Sequence, residues 1–200
     1  FFAPSSSSGK YHPVEDNIIP GGLFVHTLKS MVASKHNLFS LMSPSERKNN
    51  DIDRFNDVMI AMILHDCTIA SYEDDKWKSD YEHGKTMHDL VLRVYSTYKN
   101  IFPTVSTDRI EKIAMLIRFH MDEWAQPSTE SEMSIKYSND KEYQFYIDLQ
   151  SVQQADMFAS RKDISYFPIT ENIYERIINS DDNVVKLFNT IMNTIRQLYQ

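Results

Sequence analysis

Apolar residues recur at spacings of three and four along most of this chain, and this spacing is the strongest constraint on its fold. Between residues 52 and 66, one face of a helix would collect Phe55, Val58, Met59, Met62 and Ile63. The same spacing recurs at 23–32, 87–94, 110–117, 146–152 and 184–198. We found no convincing alternation of the kind that marks a strand. The sequence therefore predicts an all-α fold.

Composition and breaker residues refine this prediction. The 200 residues, 42% of them hydrophobic and only 4 of them Gly, suit a single domain of helices joined by modest loops. We expect a loop-like segment at 1–20, packed on a helical domain at 21–200. The string Ser43-Pro44-Ser45-Glu46 predicts a helix start. We expect 71–80 to be a charged connector and 127–140 to be a polar loop.

Charge and cysteine content exclude several classes of protein. A formal net charge of −7 disfavours long nucleic acid as the main partner, because binding to phosphates depends on clustered Lys and Arg. Cys67 is the single cysteine, which rules out an internal disulfide and indicates a reducing compartment, so we expect the cytoplasm. No run approaches the roughly 18–20 apolar residues of a membrane span, and FFAPSSSSGK is too short and polar for a signal peptide.

Ionisable side chains end or interrupt the apolar faces. Apolar packing does not explain why these side chains stand at inward-facing positions. The run IAMILHDC at 60–67 ends in His65 and Asp66, and burying either without a partner is costly. The other helical segments carry His26, His83, His120 and Asp156. Any one of these is ordinarily a hydrogen-bonded core residue. Since divalent metals accept imidazole nitrogen and carboxylate oxygen, several of them converging predict a metal site inside the bundle.

The order of these residues, with the strings around them, resembles the HD-domain superfamily of metal-dependent phosphohydrolases, which is all-helical. PGGLFVHTL at 20–28 is similar to the GGL-x-x-H-T/S-L segment of a branch that includes HD-domain exoribonucleases and uncharacterised bacterial and phage proteins. The other matching strings are APSSSSGKYH at 3–12, MILHD at 62–66, YEHGKTM at 81–87, IRFHM at 117–121 and QQADM at 153–157. The resemblance thus covers residues 3–161.

The resemblance implies a cofactor of one or two divalent ions, of Mn, Mg, Co, Ni or Fe. The first ion would be held by His26, His65, Asp66 and Asp156. In two-metal members a second ion is held at the positions of His83 and His120, with Asp66 bridging. A rival to His83 is His88, which precedes Asp89 and so repeats the dipeptide. We prefer His83 and expect His88 to lie at the surface.

The substrate contacts are less well defined. Many relatives place a Lys where this chain has Ile69, so the phosphate contact would pass to Lys85, Arg118 or Arg161, each equally explicable as a solvated surface charge. His12 would be a general acid or substrate contact, with a structural role as the alternative. Trp124 would stack on a base, with a core position as the alternative.

The resemblance implies a hydrolase of phosphate esters that uses a metal-bound hydroxide. The expected substrate is a small phosphorylated molecule, a nucleotide or short oligonucleotide, and no membrane is involved. The catalytic residues would be Asp66, His83, His120 and Lys85. Two other classes remain open. Inositol oxygenase and its relatives use the same ligand order with two irons, and a non-catalytic module would bind a nucleotide or a protein partner.

Overall fold

The computed structural model describes residues 22–42, 45, 52–73, 76–121, 140–160, 179 and 182–198. The helices in these residues are α1 (Gly22–Leu41), α2 (Ile52–Leu64), α3 (His83–Tyr98), α4 (Thr107–Arg118), α5 (Asp140–Ala159) and α6 (Asn183–Leu198). Two short strands, β1 (Ala70–Glu73) and β2 (Lys76–Ser79), are the only strands that we identify in this part of the chain. The predicted all-α class is confirmed. The predicted segment 1–20, the rest of the helix start around Ser45 and the predicted loop up to residue 139 lie outside the described residues.

The strands form an antiparallel hairpin where we expected only a charged connector. Ala70 pairs with Ser79 and Tyr72 with Trp77. The hairpin is closed at its base by the Asp80 amide, which donates to the Ile69 carbonyl at 2.8 Å. The two strand sequences, ASYE and KWKS, have the minimum length for a readable alternation and contain few apolar residues, so they resemble a polar loop.

The helices form two pairs on either side of α2. Helix α1 packs mainly against α5, and α3 packs mainly against α4. Helix α2 contacts α1 on one side and α4 on the other, and α6 packs on α3 and α2. The apolar faces predicted from the sequence are buried here, including Met62, Met87, Leu116 and Val152. No helix in the described ranges is both long and apolar enough to cross a membrane.

A buried ion network joins the two pairs at some distance from the histidines. Asp148 on α5 is fully buried. It accepts a hydrogen bond from Arg54 Nε of α2 at 2.6 Å, and its other oxygen lies 2.7 Å from Lys112 Nζ of α4. Burying a carboxylate is costly unless it is paired. These contacts therefore fix α5 relative to α2 and α4.

We expect Asp148→Ala to lower the free energy of unfolding by about 3–5 kcal/mol, because it leaves Arg54 without this carboxylate in the core. Chemical denaturation monitored by circular dichroism measures this loss. Glu111→Ala, on the exposed side of α4, is the control and should change stability by less than about 0.5 kcal/mol. If Asp148→Ala lowers the free energy of unfolding no more than the control does, the network contributes little to stability.

Candidate metal centre

The chain places its candidate ligands at the ends of helices. His26 lies in the first turns of α1, and His83 is the first residue of α3. Asp156 is in the last turn of α5. The remaining three follow helix ends, since His65 and Asp66 come directly after α2 and His120 comes two residues after α4. All six side chains are buried or nearly so, and Asp156 is the most exposed at 15%.

Four of these side chains make up what we call the first donor group: His26, His65, Asp66 and Asp156. His26 Nε2 lies 3.0 Å from Asp156 Oδ1 and 3.3 Å from Asp66 Oδ2. His65 Nε2 lies 3.3 Å from the same Asp66 oxygen and 3.5 Å from Asp156 Oδ1. One donor atom from each residue lies within 4.8 Å of all the others, which is compact enough to surround one ion.

The second donor group consists of Asp66, His83 and His120. His83 Nε2 lies 3.1 Å from Asp66 Oδ1, and His120 Nε2 lies 3.4 Å from it. The two imidazole nitrogens are 3.1 Å apart. Asp66 therefore directs Oδ2 to the first group and Oδ1 to the second, so that one carboxylate is shared by both groups.

Backbone carbonyls orient three of the imidazoles. His65 Nδ1 donates to the Met62 carbonyl at 2.6 Å, and His120 Nδ1 donates to the Ile117 carbonyl at 2.6 Å. His83 Nδ1 likewise donates to the Asp80 carbonyl at 2.8 Å. With the proton on Nδ1, the neutral ring presents its Nε2 lone pair to the cluster. Metal-binding histidines are oriented in this way.

The electrostatics of the cluster call for positive charge between these atoms. Burial by itself lowers the pKa of His26, but the Asp156 and Asp66 carboxylates outweigh it and raise the pKa to about 9. Burial opposes ionisation of Asp66, but the surrounding imidazoles, His65 first, hold its pKa well below its usual value. By contrast, burial lowers the pKa of His120, and the neighbouring His65 adds to the effect. Protons or a metal cation would satisfy the same carboxylates.

Two residues next to the second donor group were not recognised as functional from the sequence. Gly84 packs so closely against the end of α4 that a Cβ there would lie 2.9 Å from the Arg118 carbonyl oxygen and 3.4 Å from His120 Cε1. Thr68 Oγ1 donates to the His83 carbonyl at 3.0 Å. A glycine inside a helix, in a chain with only 4 glycines, was an available signal of close approach.

The other candidate residues have mixed positions. Lys85 is half exposed, and its Nζ lies 2.7 Å from Asp89 Oδ2 one turn along α3. Arg118 is half-buried, with its guanidinium carbon 5.6 Å from the Phe119 ring centroid. His88 belongs to neither donor group, but our expectation of a surface position is wrong, because its side chain is only 12% exposed. His12, Trp124 and Arg161 lie outside the described residues.

Comparison of the chain with known protein families, with curated proteins and with solved structures gave no match. The case for a function therefore depends on the geometry of the two donor groups and on the chemistry of their side chains.

We expect Gly84→Ala to weaken the second donor group, because the added methyl must push the start of α3 away from the end of α4. Metal content measured at saturating Mn should fall relative to the parent protein. Ser96→Ala, on the exposed side of the same helix, serves as the control and should leave metal content unchanged. Unchanged metal content in Gly84→Ala would show that the close approach of these helices does not matter for the site.

Proposed function

We propose that this chain is a metal-dependent hydrolase of phosphate esters, acting on a small phosphorylated substrate such as a nucleotide or short oligonucleotide. One observation carries the proposal: Asp66 presents one carboxylate oxygen to each of two histidine-containing donor groups. In two-metal hydrolases the ions are roughly 3.5–4 Å apart and clamp a phosphoryl group between attacking and leaving oxygens. A shared carboxylate suits that spacing.

The donor set fits a transition metal. Four imidazole nitrogens and two carboxylates converge on the cluster. Mg²⁺ prefers oxygen ligands, whereas Mn, Fe, Co and Ni accept mixed nitrogen and oxygen donors. In the three imidazoles that donate Nδ1–H to backbone carbonyls, Nε2 faces the cluster, so that release of the Nε2 proton leaves the tautomer that binds a metal. These features support an ion at the first group and a second ion at the other.

The residues of the chain would then have distinct tasks. Ions held here would lower the pKa of a coordinated water from about 15.7 to near 7 and neutralise phosphate charge. Asp66 would fix the separation of the two groups. The imidazoles would hold the ions in a dry environment, since His26, His65 and His120 are almost completely buried. Asp156, the most exposed of the six, would mark the side from which substrate approaches.

We expect Asp66→Ala to abolish phosphate-ester hydrolysis and to reduce bound metal, because it removes a ligand from both groups. The assay is a screen of nucleotides and cyclic dinucleotides with Mn, Mg, Co, Ni and Fe, together with elemental analysis. Asp108→Ala, an exposed carboxylate at the start of α4, is the matched control and should retain activity and metal.

Other outcomes would point to other functions. An Asp66→Ala variant that still hydrolyses the substrate would refute the mechanism. Oxygen uptake by the iron-loaded protein without phosphate release would favour an oxygenase. Metal binding with neither activity would favour a binding module.

Lys85 remains our first candidate for the phosphate contact. Lys85 and Asp89 form an exposed ion pair, and exposed ion pairs contribute little to stability. The ammonium group can therefore leave Asp89 for a substrate. We expect Lys85→Ala to keep its metal but to lower turnover by up to about 10²-fold, the low end of the loss for a preorganised donor, because Lys85 is exposed and must first leave Asp89. Lys99→Ala, an exposed lysine just past the other end of α3, is the control. Full activity in Lys85→Ala, with a loss in Arg118→Ala, would transfer the contact to Arg118.

A further inference from the structure

The two donor groups belong to different helix pairs. The first group takes His26 from α1 and Asp156 from α5, which pack together. The second takes His83 and His120 from the facing ends of α3 and α4. Only the turn after α2 contributes to both groups, through Asp66. The relation between the two groups therefore depends on how the helix pairs are held against each other.

A side-chain amide crosses between the pairs next to the cluster. Gln153 Nε2, on α5, donates to the Phe119 carbonyl oxygen at 2.9 Å. Gln153 lies one turn before Asp156 of the first group, and Phe119 lies directly before His120 of the second. The contact thus joins the backbone next to one ligand with the helical turn that carries another. The buried ion network of Asp148 also joins the helix pairs, but Asp148 lies about two helical turns from Asp156.

The Phe119 carbonyl has a clear need for this partner. It lies at the C-terminal end of α4, where the last carbonyl oxygens receive no hydrogen bond from an N–H of the helix. Phe119 is fully buried, which keeps most water from its surroundings. A donor from α5 satisfies the carbonyl and holds the peptide group that connects Phe119 to His120.

We propose that Gln153 is a positioning residue that couples the two donor groups, so that an ion bound at the first group strengthens binding at the second. The inference rests on the two-ion site of the proposed function. An ion at the first group would hold Asp156 and hence the last turns of α5. Gln153, through its hydrogen bond to the Phe119 carbonyl, would then limit the movement of His120. Without the amide donor the second group would keep all three ligands but lose one of its supports.

The test is a Mn titration of Gln153→Met, which keeps the length of the side chain and removes its hydrogen-bond donor. Electron paramagnetic resonance counts free Mn and detects the spin-coupled signal of a Mn pair. We expect unchanged affinity for the first ion and about 10–100-fold weaker binding of the second, the range typical for loss of a supporting hydrogen bond around a metal. The spin-coupled signal should be missing at Mn concentrations that saturate the parent protein.

The matched control is Gln154→Met, the same change at the adjacent, exposed position of α5. It should bind both ions like the parent protein. Circular dichroism of both variants without metal checks that they fold, and Gln153→Ala provides the same comparison if Gln153→Met does not fold. If Gln153 only supported His120 locally, Gln153→Met would weaken the ion at the second group by the same factor when His26→Ala has disabled the first group, and that result, like equal weakening of both ions, would overturn the coupling.

The inference and the proposed function fail in different ways. If Gln153→Met binds two Mn ions as tightly as the parent protein, the coupling is wrong and the two-ion site stands. If the parent protein binds no Mn at all, both are wrong. If the parent protein binds a single ion that needs His26 but not His83, there is no second group to couple and the inference is overturned.

Discussion

The structure is organised around one requirement, a positive charge between the Asp66 carboxylate and the imidazoles that surround it. Asp66 is almost fully buried, with nitrogen atoms of four histidines within 3.4 Å of its two oxygens. Neutral imidazoles that present lone pairs to a carboxylate would repel it, so protons or cations must lie between them. The turn after α2, which places this carboxylate between two helix pairs, is the centre to which the rest of the site is fitted.

The orientation of each of these imidazoles is set by a hydrogen bond to a carbonyl nearby in sequence. His65, His83 and His120 all donate Nδ1–H to the carbonyl of the residue three positions earlier. For His65 and His120 this carbonyl belongs to the last turn of the preceding helix, where it lacks an intrahelical partner. Each helix end therefore produces a correctly turned imidazole on its own. Tertiary structure has only to bring these ends together.

This division explains what could be predicted from the sequence. Helical spacing identified the apolar faces, and the positions of the histidines relative to those faces indicated that the donors point inward. Spacing carries no information about which helices pack together. Gly84 and Gln153 act through contacts with the end of α4, 34 residues away along the chain in each case. Such contacts arise only from the packing of the helices, so spacing along the chain offers no reason to select Gln153. The ion pair of Lys85 with Asp89 lies within helical reach, but spacing alone does not say whether Lys85 turns to Asp89 or to a substrate.

The metal-ligand cluster and the Asp148 network differ in how their buried carboxylates are neutralised. Asp148 finds its compensating charges within the chain, in Arg54 and Lys112, so α5 is held against α2 and α4 without any ligand. Among the described residues we identify no Lys or Arg paired with the two carboxylates of the donor groups, whose partners there are imidazoles that can take up protons or bind ions. Ions that bind only the folded chain, and not the unfolded one, would also stabilise the fold, because the ligands are brought together only by folding. The network holds the helices in place, and positive charge supplied by protons or bound ions balances the buried carboxylate of Asp66.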